Sequence, residues 1–221
     1  MDFCGDITNQ ALQLLGGTIR QLKPDDNTMA CVLPTCAGLA ALEKGRDTWA
    51  HIEKRDLISW TAMIAGYGMH GFGKEAISTF EKMRIAGIEP EESSFTSILY
   101  AYSHSKLLKE GWKFFSSMRS ECNIEPKLEH YACMADLLVH SGNLSKAYKF
   151  IKTMPIKADA TISGALLSGC RIHHDVELAE KVTEHIFELE PENTRYYVLL
   201  ANVYAEAEKL EEVKKVKKKG R

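Results

Sequence analysis

The sequence predicts an all-α fold, an α-solenoid of stacked antiparallel helix pairs, and three observations predict it. First, short Pro/Asp-type breaks recur at a near-constant interval. They end at Asp25, Asp56, Glu91, Lys127, Asp159 and Asn193, which cuts segments of 31, 35, 36, 32 and 34 residues. A fixed period in this range marks stacked helical units rather than one globular core. Second, apolar residues inside each segment recur at helical spacing in two runs separated by a turn signal. Third, neither Val/Ile/Thr alternation nor hairpin dipeptides compete with that pattern.

Each segment justifies its own helix pair. In 57–91, Trp60, Met63, Ile64 and Tyr67 share one helical face, and the run from Gly68 to Gly73 breaks it with three glycines. A second helix carries Ala76, Ile77, Phe80 and Met83 and stops at Ala86-Gly87. Pro90 then disfavours helix for the residue before it. In 92–127, Phe95, Ile98, Leu99 and Tyr102 line the first helix, and Trp112, Phe115 and Met118 the second. In 128–159 the faces are Tyr131, Met134, Leu137, Leu138 and then Ala147, Phe150, Ile151, with the turn at Ser141-Gly142-Asn143. In 160–193, Ile162, Leu166 and Leu167 lead to a turn at His173-His174, and Asp175 caps the helix of Leu178, Val182 and Ile186. The last segment carries Tyr197, Leu200, Val203 and Tyr204 and runs into a lysine-rich tail.

Composition narrows the function classes. Hydrophobic content of 45% with 26% charge is that of an ordinary folded chain. No apolar run approaches the ~18 residues that span a bilayer, so no membrane partner is read. The N-terminus reads as neither a secretory signal nor an organelle transit peptide. Cys4, Cys31, Cys36, Cys122, Cys133 and Cys170 show no CxxC spacing and read as reduced, small core residues. The net charge is −2, but the tail from Lys214 to Arg221 holds six cations, so the remainder carries −8. The acid-rich stretch from Asp175 to Glu212 suits a solvated face or a protein partner better than phosphate.

The residues of three consecutive segments carry a family resemblance. DLISWTAMIAGYGMHGFGKEAISTFEKMRIAGIEPE, SFTSILYAYSHSKLLKEGWKFFSSMRSECNIEPK and LEHYACMADLLVHSGNLSKAYKFIKTMPIKAD each resemble a pentatricopeptide repeat. Their lengths of 35, 36 and 32 resemble the P, L and S motifs of the plant PLS subclass. ATISGALLSGCRIHHDVELAEKVTEHIFELEPEN is similar to the first C-terminal E-type motif, and TRYYVLLANVYAEAEKLEEVKKV to the start of the second. The organisation implied is a partial motif over 1–25, a shortened L/S-like motif over 26–56, and P, L and S motifs over 57–91, 92–127 and 128–159. A first E-type motif over 160–193 and an incomplete second over 194–221 follow. The 26–56 unit departs from the family: it opens like an L motif and closes like an S motif, so one slot stands where two belong. Two tryptophans of the E-type motifs are replaced, by Ser163 and Leu210, and losing both anchors should loosen packing.

The resemblance implies single-stranded RNA as ligand, one base per repeat read by two or three side chains. First helices would line a concave face. The base-reading pairs fall at Thr61 with Glu91, Thr96 with Lys127, and Ala132 with Asp159, and Ile58, Ser93 and Glu129 would sandwich the bases. The same residues also read as helix-start hydroxyls bonded to backbone and as solvated loop charges. The family implies action in chloroplast or mitochondrion, in C-to-U editing, with the E-type motifs recruiting a deaminase or editing cofactor in trans. A tetratricopeptide-like protein scaffold, or a truncated product without function, stands as the alternative.

Catalysis is not expected. A zinc deaminase needs H-x-E followed by P-C-x-x-C. His51-Ile52-Glu53 supplies the first, but no CxxC exists. His173 and His174 are adjacent and cannot form an i, i+4 zinc pair. No GxSxG, Walker loop or dinucleotide fingerprint occurs, so neither a cofactor nor a small-molecule substrate is read.

Overall fold

The computed structural model describes residues 42–51 and 55–219. Among them the chain runs through α1 (Leu42–His51), α2 (Leu57–Met69), α3 (Gly73–Ile85), α4 (Glu92–His104), α5 (Leu108–Ser120), α6 (Leu128–His140), α7 (Leu144–Thr153), α8 (Ala160–Ile172), α9 (Val176–Leu189), α10 (Thr194–Glu206) and α11 (Leu210–Lys219). No strand occurs among the described residues. The partial motif over 1–25, Cys4, Cys31, Cys36 and most of His51-Ile52-Glu53 lie outside the described residues.

The unit ruler is a capping ruler. The last residue of each segment is the N-cap of the next first helix. Asp56 accepts from Ser59 N–H at 2.8 Å, and Asp159 from Ile162 N–H at 2.9 Å. Asn193 accepts from Arg195 N–H at 3.1 Å. Asp175 caps α9 by accepting from Leu178 N–H at 3.0 Å, as the sequence predicts. Each such acceptor satisfies an otherwise orphaned helix donor. Helix ends are equally local: Gly71, Gly87 and Gly142 sit at positive φ in the turns.

The described chain divides into two compact bodies. The first holds α1–α4 and residues 120–124; the second holds residues 106–119 and everything from 125 on. In the first body, α2 packs on α1, α3 and α4, and α3 on α4. In the second, α6 packs on α7 and α8, α8 on α7, α9 and α10, and α10 on α9 and α11. Within each body first helices therefore stack on first helices, α2 on α4 in the first, α6 on α8 and α8 on α10 in the second, and α3, α7 and α9 each pack on the first helix that follows. The seventh residue of every first helix is buried: Met63, Ile98, Met134, Leu166 and Leu200. These helices match the all-α solenoid that the repeat period predicts.

An aromatic ladder ties four of the five first helices, α2, α4, α6 and α10, to the second helix before each. The fourth residue of α2, α4, α6 and α10 is Trp60, Phe95, Tyr131 and Tyr197. Their ring partners are Trp49 at 4.7 Å, Phe80 at 5.9 Å, Phe115 at 5.3 Å and Phe187 at 4.1 Å. Such pairs add about 0.5–1.5 kcal/mol beyond area burial. In α8 the fourth residue is Ser163, buried at 2% exposure, and the cleft it lines with Tyr148, Leu166 and Val182 is closed to about 10 Å³. The ladder thus lacks an aromatic rung in α8, and no sizeable cavity stands in its place.

Three expectations need correction. The glycine run from 68 to 73 does not break the helix as a block: Gly68 lies inside α2 and Gly73 opens α3, so the turn is only His70–Phe72. Both glycines admit close neighbours, Ala101 and Ser105. Trp112 is 36% exposed and sits at the edge of a cluster with Phe115 and Phe150 rather than inside it. Leu210 is 65% exposed at the start of α11, so its position is no buried anchor.

Cys133 and Cys170 are reduced; Cys170 is fully buried and Cys133 partly so. Burial pushes both thiols up to about 12. The unfolded chain ionises these thiols near pH 9 and the folded chain does not, so stability should fall as pH rises from about 9 towards 12. Burial and a bond to Glu180 hold the Tyr204 hydroxyl at about 12 as well, in the same sense. A melting series from pH 7 to 11 checks this. A Cys170→Ala chain should show a shallower alkaline decline, and an unchanged slope would contradict the assignment.

Candidate nucleic-acid interface

The helix register sorts the predicted contact residues by what their side chains face. The second residue of each first helix points to solvent: Ile58 is 58% exposed, and Ser93 and Glu129 are exposed. An isoleucine more than half exposed at the start of a helix contributes little to the core. It is chemically suited to lie against a planar ring. The fifth residue of each, Thr61, Thr96 and Ala132, is half-buried beside it.

Around Thr61 the structure assembles a polar chain. The Thr61 hydroxyl shares a hydrogen bond of 3.1 Å with Ser94 Oγ. Ser94 Oγ in turn lies 3.5 Å from the donating backbone N–H of Glu91. Thr61 and Glu91 are therefore joined through Ser94, which is buried at 0% exposure and fixes the spacing between α2 and the start of α4. The Glu91 side chain is exposed.

The other two pairs are less complete. Thr96 donates to the Glu92 carbonyl at 3.1 Å, the helix back-bonding the sequence also allows. Lys127 donates its backbone N–H to Nδ1 of buried His130 at 3.0 Å, which leaves its side chain outside on the surface. Asp159 is exposed, with one oxygen engaged in capping α8, and Ala132 offers no polar atom beside it. Sequence reasoning missed Ser94 and His130. The signal was available: a polar side chain three residues after each N-cap is the spacing of a capping pair.

An exposed second residue beside a half-buried fifth, with a capping residue opening each first helix, recurs on α2, α4 and α6 and defines a helical-repeat protein. Sequence patterns make the family explicit. The pentatricopeptide repeat pattern matches residues 55–104 and again 93–122, and the E motif matches residues 173–221. The chain belongs to the pentatricopeptide repeat family and carries its E motif.

Among curated relatives from Arabidopsis thaliana, the pentatricopeptide repeat-containing protein DOT4, chloroplastic, is 54% identical over 248 aligned residues. That match takes in 96% of this chain and 28% of the relative. CRR2, chloroplastic, is 38% identical over 247 residues, with 95% and 38% covered. A mitochondrial member is 44% identical over 80% of this chain and 27% of its own length. The chain thus spans roughly a third of the relatives it matches. The crystal structure of maize PPR10 superposes with a TM-score of 0.72 at 19% identity, over 85% of this chain and 28% of that one. Its complex with an 18-nt psaJ RNA element gives 0.73 at 18% identity, over 87% and 29%. These likenesses establish the solenoid fold.

Proposed function

We propose that the chain is a single-stranded RNA-binding repeat array acting as a site-recognition factor in organelle C-to-U editing, with its E-type motifs recruiting a deaminase or editing cofactor in trans. The observation that carries the RNA half is the recurring register: an exposed second residue beside a half-buried fifth on successive first helices, best formed at Ile58, Thr61, Ser94 and Glu91. The maize neighbour solved with RNA and the chloroplastic and mitochondrial relatives support that reading. Thr61 with Glu91 is the base-reading pair, with Thr96–Lys127 and Ala132–Asp159 following and Ile58, Ser93 and Glu129 flanking the bases. At about 1–3 kcal/mol per stacked base, three repeats give only ~3–9 kcal/mol gross. Weak binding by this chain, sharpened by further repeats, follows.

Segment lengths of 35, 36 and 32 support the P, L, S order. The loss of a unit near 26–56 rests on the sequence pattern, and alignment lengths divide: a further relative aligns over 217 residues with 97% of this chain covered and almost no excess, while two others run longer. DOT4 aligns over 248 residues while only 96% of 221, about 212, belong to this chain, so about 36 positions have no counterpart here. CRR2 leaves about 37 by the same comparison. Each is close to one repeat.

Filter binding with single-stranded organelle RNA tests the first half. Ile58→Ala should weaken RNA binding by about tenfold, near the lower end of a per-base contribution, while the melting temperature stays within a degree or two. Binding that is salt-insensitive, or equal in wild type and Ile58→Ala, would sink the assignment. The acidic stretch from Asp175 to Glu212 favours a second reading, a scaffold for proteins alone. Nuclease treatment that leaves every partner bound would favour it.

A further inference from the structure

The second body holds an open groove of about 570 Å³ where α9, α10 and α11 meet. Its wall and floor include Phe187, Tyr197, Leu200 and Val216, and Lys218 and Lys219 stand on its rim. The register makes it the counterpart of the cleft at Ser163: Tyr197 and Leu200 occupy in α10 the places of Ser163 and Leu166 in α8. One is closed to about 10 Å³ and the other stands open. The rung here is also built differently. Phe187 and Tyr197 lie nearly parallel, at 19°, where the corresponding pairs of α2, α4 and α6 cross at 75°, 66° and 72°. Both rings stay half-buried, and Tyr197 is pinned by donating to the Pro191 carbonyl at 3.1 Å.

The rim charges select what can lie there. Lys215 is engaged by Glu212 at 2.7 Å, and Lys214 by Glu211 at 2.8 Å. Lys218 and Lys219 are exposed and form no ion pair with a described residue. The groove therefore offers an apolar, aromatic floor beneath two available cations, on a chain that is otherwise net acidic. A polyphosphate strand leaving the groove along α9 would meet Glu184 and Glu188, both exposed. A short peptide with a bulky apolar anchor and a few carboxylates matches floor and rim without running along α9, and Glu212, which also lines the groove, is neutralised there by Lys215.

We propose that the groove between α9, α10 and α11 docks an acidic segment of a partner protein, its one large apolar residue against Phe187 and Tyr197 and its carboxylates on Lys218 and Lys219. The proposal rests on the recruiting role assigned above to the E-type motifs and names the surface and partner chemistry that role would use.

The test is fluorescence anisotropy of the full chain with a fluorescein-labelled peptide bearing one tryptophan between paired aspartates and glutamates. Saturable binding that weakens with salt is expected. The exposed double substitution Lys218→Glu, Lys219→Glu should weaken it by about tenfold at unchanged melting temperature. Phe187→Ser should weaken it as well, without making the remaining binding less salt-sensitive. Equal binding by wild type and the lysine variant would overturn the proposal. So would displacement of the peptide by unlabelled polyuridine at equal concentration, which would assign the groove to nucleic acid. Recovery of a deaminase by wild type and lysine variant alike would keep the recruiting role and overturn this groove as its seat.

Discussion

Phe95→Ala is expected to lower the stability of the first body by about 3–5 kcal/mol, the range for deleting a fully buried phenylalanine. Phe95 is 1% exposed and is the rung by which α4 meets Phe80 of α3, with ring centroids 5.9 Å apart. Its neighbours Ile98 and Leu99 are at 0% exposure, so little is free to collapse into the void. In a repeat array stability is nearly a sum of unit and nearest-neighbour terms. The loss should therefore be local. Hydrogen exchange should quicken in α2, α3 and α4, while α8 and α10 keep their protection. Urea unfolding should broaden or split rather than shift as one transition. A drop under 1 kcal/mol, or uniform loss of protection from α2 to α10, would contradict the assignment. RNA affinity should fall with it, because Thr61, Ser94 and Glu91 are held by the α2–α4 contact.

Helix boundaries were legible where they rest on chemistry within a few residues. Asp56, Asp159, Asp175 and Asn193 cap the helices that follow them because a short acceptor side chain reaches an orphaned N–H two or three residues on. That geometry belongs to the local sequence alone. Core positions at the fourth and seventh residues were legible because the period is helical and the repeat shows it several times. Gly68 and Gly73 were misread for the opposite reason. Glycine signals a turn locally, but here it serves contacts with Ala101 and Ser105, some thirty residues away. Tertiary packing overrode a propensity of about 1 kcal/mol. Trp112 and Leu210 show the same limit: being large and apolar at the right spacing does not say which helix, if any, covers the far side. In the candidate interface, the exposure of Ile58, Ser93 and Glu129 followed from register. The link through Ser94 did not, since a serine three residues past a cap reads first as a capping residue. Its second bond, to Thr61, spans 33 positions.

Gly68→Val should cost about 3 kcal/mol, the upper end for overpacking a filled contact. A Cβ at 68 would lie 2.9 Å from Ala101 Cβ and 3.0 Å from Ala101 Cα. The second of these is backbone, which cannot swing aside, so α2 and α4 must separate. Gly68→Ala meets the same contact with less bulk, and alanine's helix preference of about 1 kcal/mol offsets part of its cost. It should still be destabilising. The pair Gly68→Ala, Ala101→Gly removes the Cβ contact but leaves the new Cβ 3.0 Å from the Cα and 3.2 Å from the N of residue 101, so it should recover only part of the loss of Gly68→Ala. A double-mutant cycle then gives a coupling of about 1 kcal/mol or more for residues in direct contact. The consequence for binding comes from the same displacement. The Thr61–Ser94 bond joins these two helices at 3.1 Å, and a few tenths of an ångström of separation take it beyond useful length. RNA affinity should fall in Gly68→Val at temperatures well below its melting point, and the pair Gly68→Ala, Ala101→Gly should lose less affinity than Gly68→Ala alone, in step with its smaller loss of stability. If the swap regains stability over Gly68→Ala but no RNA affinity, the Thr61–Ser94 link is not what positions the first base.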